Sequence, residues 1–275
     1  MELLLFRLYG PMASWGEIAV GETRHTAAYP GKSALLGLLG AALGIRRNED
    51  AVHGRMASGY LFAVKMISSG HLLRDYHTTQ VPDSAGKFSY GTRKDELYIG
   101  RSRLGTILSS REYRSDALCL VAVRARENAP FSLHALAQAL SAPKFHLYLG
   151  RKSCPLAAPL NPTVGTFSGY GQAFADYHCG PIYISGTLKQ RAEREAKDVD
   201  SAVPLMDQSP TLARFSRQDR LALSIGSEPV RYYWEGDAVD LTSQQELTRH
   251  DQPVSRSRWQ FSRRREQLFI QVEEG

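Results

Sequence analysis

The first half of the chain alternates between unbroken apolar runs and apolar residues at helical spacing. Residues 2–9 (ELLLFRLY) form a short apolar run closed by Gly10-Pro11, which predicts a strand. After Pro30-Gly31-Lys32-Ser33, the apolar residues Leu35, Leu36, Leu38, Leu39, Ala42 and Leu43 recur at helical spacing, and Gly44 supplies a stop. Gly37 and Gly40 lie inside that helix at a propensity cost of about 1 kcal/mol each, which points to close packing of the helix on a sheet. Residues 60–67 and 117–124 read as further strands, and residues 131–140, after Pro130, as a second helix. The order strand, helix, strand, strand, helix is the beginning of a ferredoxin-like unit.

The interval between the second and third strands is abnormal. Residues 68–116 occupy far more chain than a hairpin turn needs, carry eight Lys/Arg together with tyrosines, and are punctuated by Gly86, Gly91, Gly100 and Gly105. A long basic excursion from a small sheet reads as a projecting arm that grips something, or as a plain surface insertion. Past Pro155 the pattern weakens. Residues 187–220 are dominated by charge, with 189–200 an exposed helix or a mobile segment. Residues 221–225, 230–234 and 267–272 read as strands of a smaller C-terminal sheet, and no internal repeat is present.

Composition narrows the class. The longest apolar stretch, residues 34–45, contains three glycines and is too short to span a bilayer. Glu2 stands where a signal peptide carries positive charge. Cys119, Cys154 and Cys179 are widely spaced and form no C-x-x-C pair, so neither a disulfide framework nor a zinc site is expected, and a cytoplasmic location is. The net charge is +6, with pI about 9.2, and the excess is local. Residues 144–152 hold Lys144, Arg151 and Lys152 with no acid, and residues 249–265 hold six arginines against Asp251. Such runs suit a polyanion partner or a solvated face.

Several enzyme chemistries can be tested. Gly31-Lys32-Ser33 opens a helix, but Thr26 stands where a phosphate-binding loop needs its first glycine. What survives is a helix N-terminus beside Lys32 and Ser33 that can hold one phosphate, or simply Ser33 as a cap. His71, Asp75, Tyr76 and His77 lie close together. A His–Tyr pair near cations can cleave RNA without metal by activating the 2′-hydroxyl, and equally can stack on or hydrogen-bond to RNA bases. The eight histidines form no H-E-x-x-H pattern, no serine triad is inferable, and too few ligands cluster for a metal.

The motifs form an ordered set. Gly10-Pro11-Met12-Ala13-Ser14-Trp15-Gly16 is followed by Arg24, Tyr29-Pro30-Gly31-Lys32-Ser33 and the leucine/glycine helix. Then come Leu73-Arg74-Asp75-Tyr76-His77-Thr78, Arg111-Glu112-Tyr113-Arg114-Ser115-Asp116-Ala117 and Tyr148-Leu149-Gly150-Arg151-Lys152-Ser153-Cys154-Pro155-Leu156. In this order and spacing the chain resembles the CasD subunits of type I-E CRISPR Cascade, closely over about residues 1–160 and faintly again at Arg258-Trp259 and Ser262-Arg263. The resemblance implies an α+β fold. It has a ferredoxin-like (RRM) domain of the repeat-associated mysterious protein (RAMP) type over 1–160, carrying an inserted β-hairpin thumb at about 74–115. A smaller C-terminal β-rich subdomain over 161–275 follows, enlarged by the charged insertion at about 187–220.

The resemblance further implies a non-catalytic, cofactor-free and metal-free subunit that hooks the 5′ handle of the CRISPR guide RNA. Its thumb meets the CasC backbone subunit, the large CasA subunit docks beside it, and target DNA is met through the assembled complex. Relatives in type I-C systems cut precursor RNA. The enzymatic alternative here uses Tyr76, His77 and a lysine such as Lys32, and a protein–protein adaptor that contacts little RNA is a third reading. Candidate RNA contacts are Arg24, Lys32, Ser33, Tyr76, His77, Arg111, Arg114, Arg151 and Lys152. Candidate thumb contacts are Lys87, Arg93, Lys94, Arg101 and Arg103, while Trp15 either stacks or anchors its loop.

Overall fold

A computed structural model describes residues 1–17, 19, 21–83, 89–178, 180, 182, 223 and 228–271. Strand β1 (Glu2–Tyr9) is followed by four two-residue strands, β2 (Met12–Ala13), β3 (Trp15–Gly16), β4 (Thr23–Arg24) and β5 (Thr26–Ala27). Helices α1 (Lys32–Leu43) and α2 (Asp50–Gly59) lead to β6 (Tyr60–Ser68) and β7 (His71–Pro82). Next come α3 (Arg93–Leu97), a 3-10 turn (Arg101–Arg103), β8 (Leu104–Ser115), β9 (Leu118–Ala125) and α4 (Leu133–Ser141). The described chain continues with β10 (Thr163–Thr166), α5 (Tyr170–Asp176), β11 (Val230–Trp234), β12 (Gln245–Ser255) and β13 (Gln260–Gln271).

Seven strands make one sheet in the order β10-β1-β9-β6-β11-β13-β12, with every neighbour antiparallel. Both faces of its centre are covered, which is why β1 and β6 read as unbroken apolar runs rather than alternating ones. On one face Leu4, Phe6, Leu8, Phe62 and Val64 pack against α1, α2 and α4 through Leu35, Leu39, Met56 and Leu136. On the other face Leu3, Leu5, Tyr9 and Leu120 pack with Tyr170, Phe174, Tyr232 and Trp234. Arg7 is tolerated inside β1, 1% exposed, because its guanidinium donates to the carbonyls of Pro159 (2.9 Å) and Gly180 (2.7 Å).

Two expectations need correction. The C-terminal strands do not build a sheet of their own: β11 pairs with β6, Tyr233 opposite Val64, and extends the N-terminal sheet. An unpaired edge at β6 would expose its backbone groups, and β11 covers it. On the far side of β1 lies β10, at 163–166, and Leu149-Gly150 belongs to a loop held by the Tyr148–Pro155 bridge. Gly37 and Gly40 do not face a sheet. A Cβ at Gly37 would lie 3.2 Å from the Arg256 guanidinium, and one at Gly40 would lie 3.3 Å from the His53 ring. The segments at 189–200 and 187–220 and Cys179 lie outside the described residues, as does all but Leu223 of 221–225.

The excursion between β6 and β9 is a hairpin. β7 and β8 pair from His71↔Ser115 to Pro82↔Leu104, and its base is fastened by β2 on Arg114–Ser115 and by a parallel contact of β4 with Ser110–Arg111. Leu72, Leu73, Tyr76, Ile107 and Leu108 all lie exposed along it.

Candidate nucleic-acid interface

The helix N-terminus singled out for phosphate is already filled from within. Asp251 accepts a 2.7 Å hydrogen bond from the Lys32 backbone N–H, so an internal carboxylate meets the positive end of α1. Gly31 permits this approach, since a Cβ there would lie 2.4 Å from Asp251 Oδ2. Asp251 reaches α1 because β12 carries an extra residue between Arg249 and Gln252. Ser33 makes no side-chain cap, and its carbonyl accepts from Arg256.

Lys32 itself is buried, its Nζ 3.0 Å from Glu235 Oε1. Arg264 adds contacts to Asp251 (2.6 Å), Glu266 (2.9 Å) and Glu235 (3.9 Å), and the Tyr29 hydroxyl donates to Glu266 at 2.6 Å. Burial lowers the Lys32 pKa against the pull of Glu235, and burial raises that of Glu266 against Arg264. Lys32 is thus consumed by a buried polar seam joining the N-terminal loop to β12 and β13, while half-buried Ser33 gives its carbonyl to Arg256. Much of the 249–265 arginine run belongs to this seam or to its flanks: Arg249 lies over the Tyr29 ring at 4.9 Å, and the Arg264 side chain is 7% exposed.

The hairpin sorts the remaining candidates by face, because successive strand residues point to opposite sides. One face carries Asp75 and His77 with their cross-strand partners Arg111 and Ser109, and the parallel pairing of β4 places Arg24 beside Arg111. His77 Nε2 meets Asp75 Oδ2 at 2.5 Å on this face. Arg24 and Arg111 are both exposed, and among the described residues neither has a carboxylate within 4.0 Å. The opposite face carries Tyr76, Arg74, Glu112 and Arg114. There Glu112 is buried, 2.8 Å from Arg74 and 3.2 Å from His25, and the Arg74 hydrogen bond holds its carboxyl below the usual range. Tyr76 is 70% exposed. Tyr76 and His77 therefore stand on opposite faces, and Lys32 lies in the buried seam apart from both.

The loop carrying Arg151 docks on the first of these faces. Gly150 has φ +84 and a Cβ there would lie 1.8 Å from the Ser14 carbonyl, so only glycine lets the loop lie against Ser14–Trp15. The Ser14 N–H then donates to Leu149 O at 3.0 Å. This placement sets the Arg151 guanidinium over the Tyr113 ring, 4.9 Å from its centroid, and within 3.5 Å of the Arg24 carbonyl. Nη1 of Arg151 is buried without a partner among the described residues. Lys152 is exposed beside it. Tyr113, absent from the sequence candidates, is the platform; its alternation with Arg111 on β8 was the available signal. Trp15 is an anchor, 5% exposed in the core.

At the hairpin tip Arg93 is paired with Glu96 and donates to Gln80 O, and Arg103 is paired with Asp83 at 2.8 Å. Arg101 is exposed, Lys94 lies 5.9 Å from the ring of exposed Tyr98, and Lys87 is outside the described residues. Among the described residues no group of three His, Cys, Asp or Glu could hold a metal ion, and no helix is long and apolar enough to cross a membrane.

With this geometry established, comparison with known proteins places the chain. The profile of the CRISPR-associated protein family Cas_Cas5 matches residues 3–266. The chain belongs to that family. It is 37% identical over 165 residues to the CRISPR system Cascade subunit CasD of Escherichia coli K12, covering 57% of this chain and 68% of that protein. Among solved structures, a chain of a CRISPR RNA-guided surveillance complex superposes with a TM-score of 0.59 at 24% identity, over 98% of this chain and 89% of that one. A crystal structure of a Cas protein matches with a TM-score of 0.55 at 24% identity, over 98% and 94% of the two chains. The mixed α/β fold with its large antiparallel sheet is therefore the fold of this Cas5 family member's structural relatives.

Proposed function

We propose that this Cas5 family member is a non-catalytic, RNA-binding subunit of a type I-E Cascade-like surveillance complex, holding the 5′ handle of the guide RNA. The observation that carries the reading is the convergence of Arg24, Arg111 and Arg151 on one face of the hairpin base, with Tyr113 beneath Arg151. Arg24 and Arg151 spend donors on backbone carbonyls, but guanidinium groups without a carboxylate partner still neutralise and grip phosphates, and a flanking tyrosine and histidine offer flat surfaces to splayed bases. Lys152 and His77 extend the same surface, and Arg114 and Tyr76 serve the other face of the hairpin. The strand order β10-β1-β9-β6, with α1 and α4 on one face, supports a ferredoxin-like RAMP unit whose fourth strand, β10, lies just past the expected 1–160 boundary. Strands β11, β13 and β12 extend that sheet past β6 and buttress it. The exposed apolar residues of the hairpin suit a protein neighbour, in this reading the CasC backbone subunit, with CasA beside the base and target DNA reached through the complex.

The endoribonuclease alternative loses its geometry, because Tyr76 and His77 point to opposite faces of β7 and Lys32 is paired in the interior. The test is guide-handle binding by the assembled complex as a function of salt. Four to six phosphate contacts to a single strand give a slope of log affinity against log salt of about −3 to −4. Arg111→Ala and Arg151→Ala are each expected to weaken binding by about 1–3 kcal/mol and reduce the slope by less than about one unit. Arg151→Lys recovers part of the loss, since a point charge cannot lie flat on Tyr113. A slope near zero, or folded alanine variants that bind normally, would remove the basis for this site.

A further inference from the structure

The turn between β12 and β13 presents a tryptophan to solvent. Trp259 is 63% exposed, whereas Trp15 and Trp234 are 5% and 2% exposed. Its backbone is in the left-handed region, φ +53, a conformation that bulky residues rarely adopt. The turn is nonetheless held tightly. Asp50, at the start of α2, accepts from the hydroxyls of Ser255 (2.9 Å) and Ser257 (2.5 Å) and from the backbone N–H groups of Arg256 (3.0 Å) and Ser257 (3.2 Å). The Arg258 N–H closes the turn onto Ser255 Oγ at 3.1 Å. Arg47 is anchored by its Nε on the Arg256 carbonyl, 2.9 Å, and stacks over the indole at 4.3 Å, while Phe261 lies 5.9 Å from it.

We infer that Trp259 and Arg47 form a stacking site for an unpaired base of a single-stranded nucleic acid, outside the hairpin-base site. An exposed indole on a rigid turn is a ready-made platform for any base, because every base has a flat π-face. The charge around it selects a polyanion. Arg46, Arg47 and Arg258 are exposed, and among the described residues none has a carboxylate within 4.0 Å of its guanidinium. The carboxylate next to the turn, Asp50, is occupied by four internal hydrogen bonds and held low, at about 2, by Ser257 and Ser255. A flat apolar surface with Arg47 stacked on it, and Arg46 and Arg258 next to these two in sequence, fits a strand with exposed bases and phosphates. The paired bases of a duplex would not reach the indole.

The experiment reads indole emission, with Trp259→Gly supplying the background of buried Trp15 and Trp234, so that the difference reports Trp259. The full chain is titrated at low salt with oligouridylate, oligodeoxythymidylate and a blunt duplex, each of about 12 nucleotides. Either single strand should quench the emission and the duplex should not, and the stronger quencher identifies RNA or DNA as the source. Trp259→Gly suits the positive φ and removes the ring, so it should lower single-strand affinity about 5- to 100-fold, and Trp259→Phe should recover part of it. Arg111→Ala separates the two sites: it should leave the quenching in place even if handle binding at the hairpin base is lost or never existed. Emission that neither single strand changes, or a folded Trp259→Gly variant that binds both strands as tightly as the parent, overturns the inference.

Discussion

Replacing Lys32 by methionine tests whether this residue is structural. The side chains of Lys32 and Glu235 are 5% and 8% exposed, and their charged atoms lie 3.0 Å apart. At that distance the direct attraction is about 5–6 kcal/mol in an effective dielectric of about 20. Removing the lysine leaves Glu235 buried, with Arg264 Nη1 at 3.9 Å as its remaining cation and the Phe62 N–H, at 3.1 Å, as a donor. Breaking a buried pair from one side destabilises by about 3–5 kcal/mol, and at about 2–4 °C per kcal/mol in a chain of this size the melting temperature falls by about 6–20 °C. Adding Glu235→Gln should restore most of it. The amide has no charge to strand, and its oxygen can still accept from Phe62. Urea unfolding of the parent, the single variants and the double variant completes the cycle. A loss below about 1 kcal/mol for Lys32→Met, or a double variant no better than the single, would refute the buried-pair argument. Loss of handle affinity at a temperature where Lys32→Met is fully folded would return Lys32 to the RNA surface.

Repeat RNA incubated with the pure protein should stay intact with or without magnesium. A single clean cut abolished by His77→Ala, seen on a denaturing gel, would establish the enzymatic alternative. Replacing residues 84–102 by two glycines joins Asp83 to Arg103, whose backbones already meet at 2.9 Å, and should leave the melting temperature within about 2–3 °C of the parent. The same variant should assemble poorly with the backbone subunit, and normal assembly would make the tip ornamental. The low pKa of Asp50, about 2 against an ordinary 3.8, means its contribution is fully present above pH 3.8 and is lost as pH falls through about 2. Asp50→Asn should therefore flatten that part of the acid unfolding curve, and an unchanged acid limb would show that the carboxylate does not hold the turn.

Local pattern alone was enough for β1, α1, β6, β9 and α4, whose ends fall within three residues of those expected from apolar runs, periodicity and flanking glycine or proline. Such elements are legible because the signal lies in consecutive residues. The hairpin was legible as an abnormal length of basic chain, and the opposite facing of Tyr76 and His77 follows from strand alternation once a strand is assigned. The edge strands β10 and β12 were not legible. Gln245–Ser255 is largely polar, contains Pro253, and is a strand only because β13 supplies its hydrogen-bond partners. The fates of the cations were likewise undecidable from position. Lys32 and Arg264 look no different in sequence from Arg24 and Arg111, yet one pair is buried against Glu235 and Asp251 and the other stands exposed. What separates them is which carboxylate arrives from more than two hundred residues away for Lys32, or across a bulged strand for Arg264. Long-range pairing and register set that, and no window of the chain contains it.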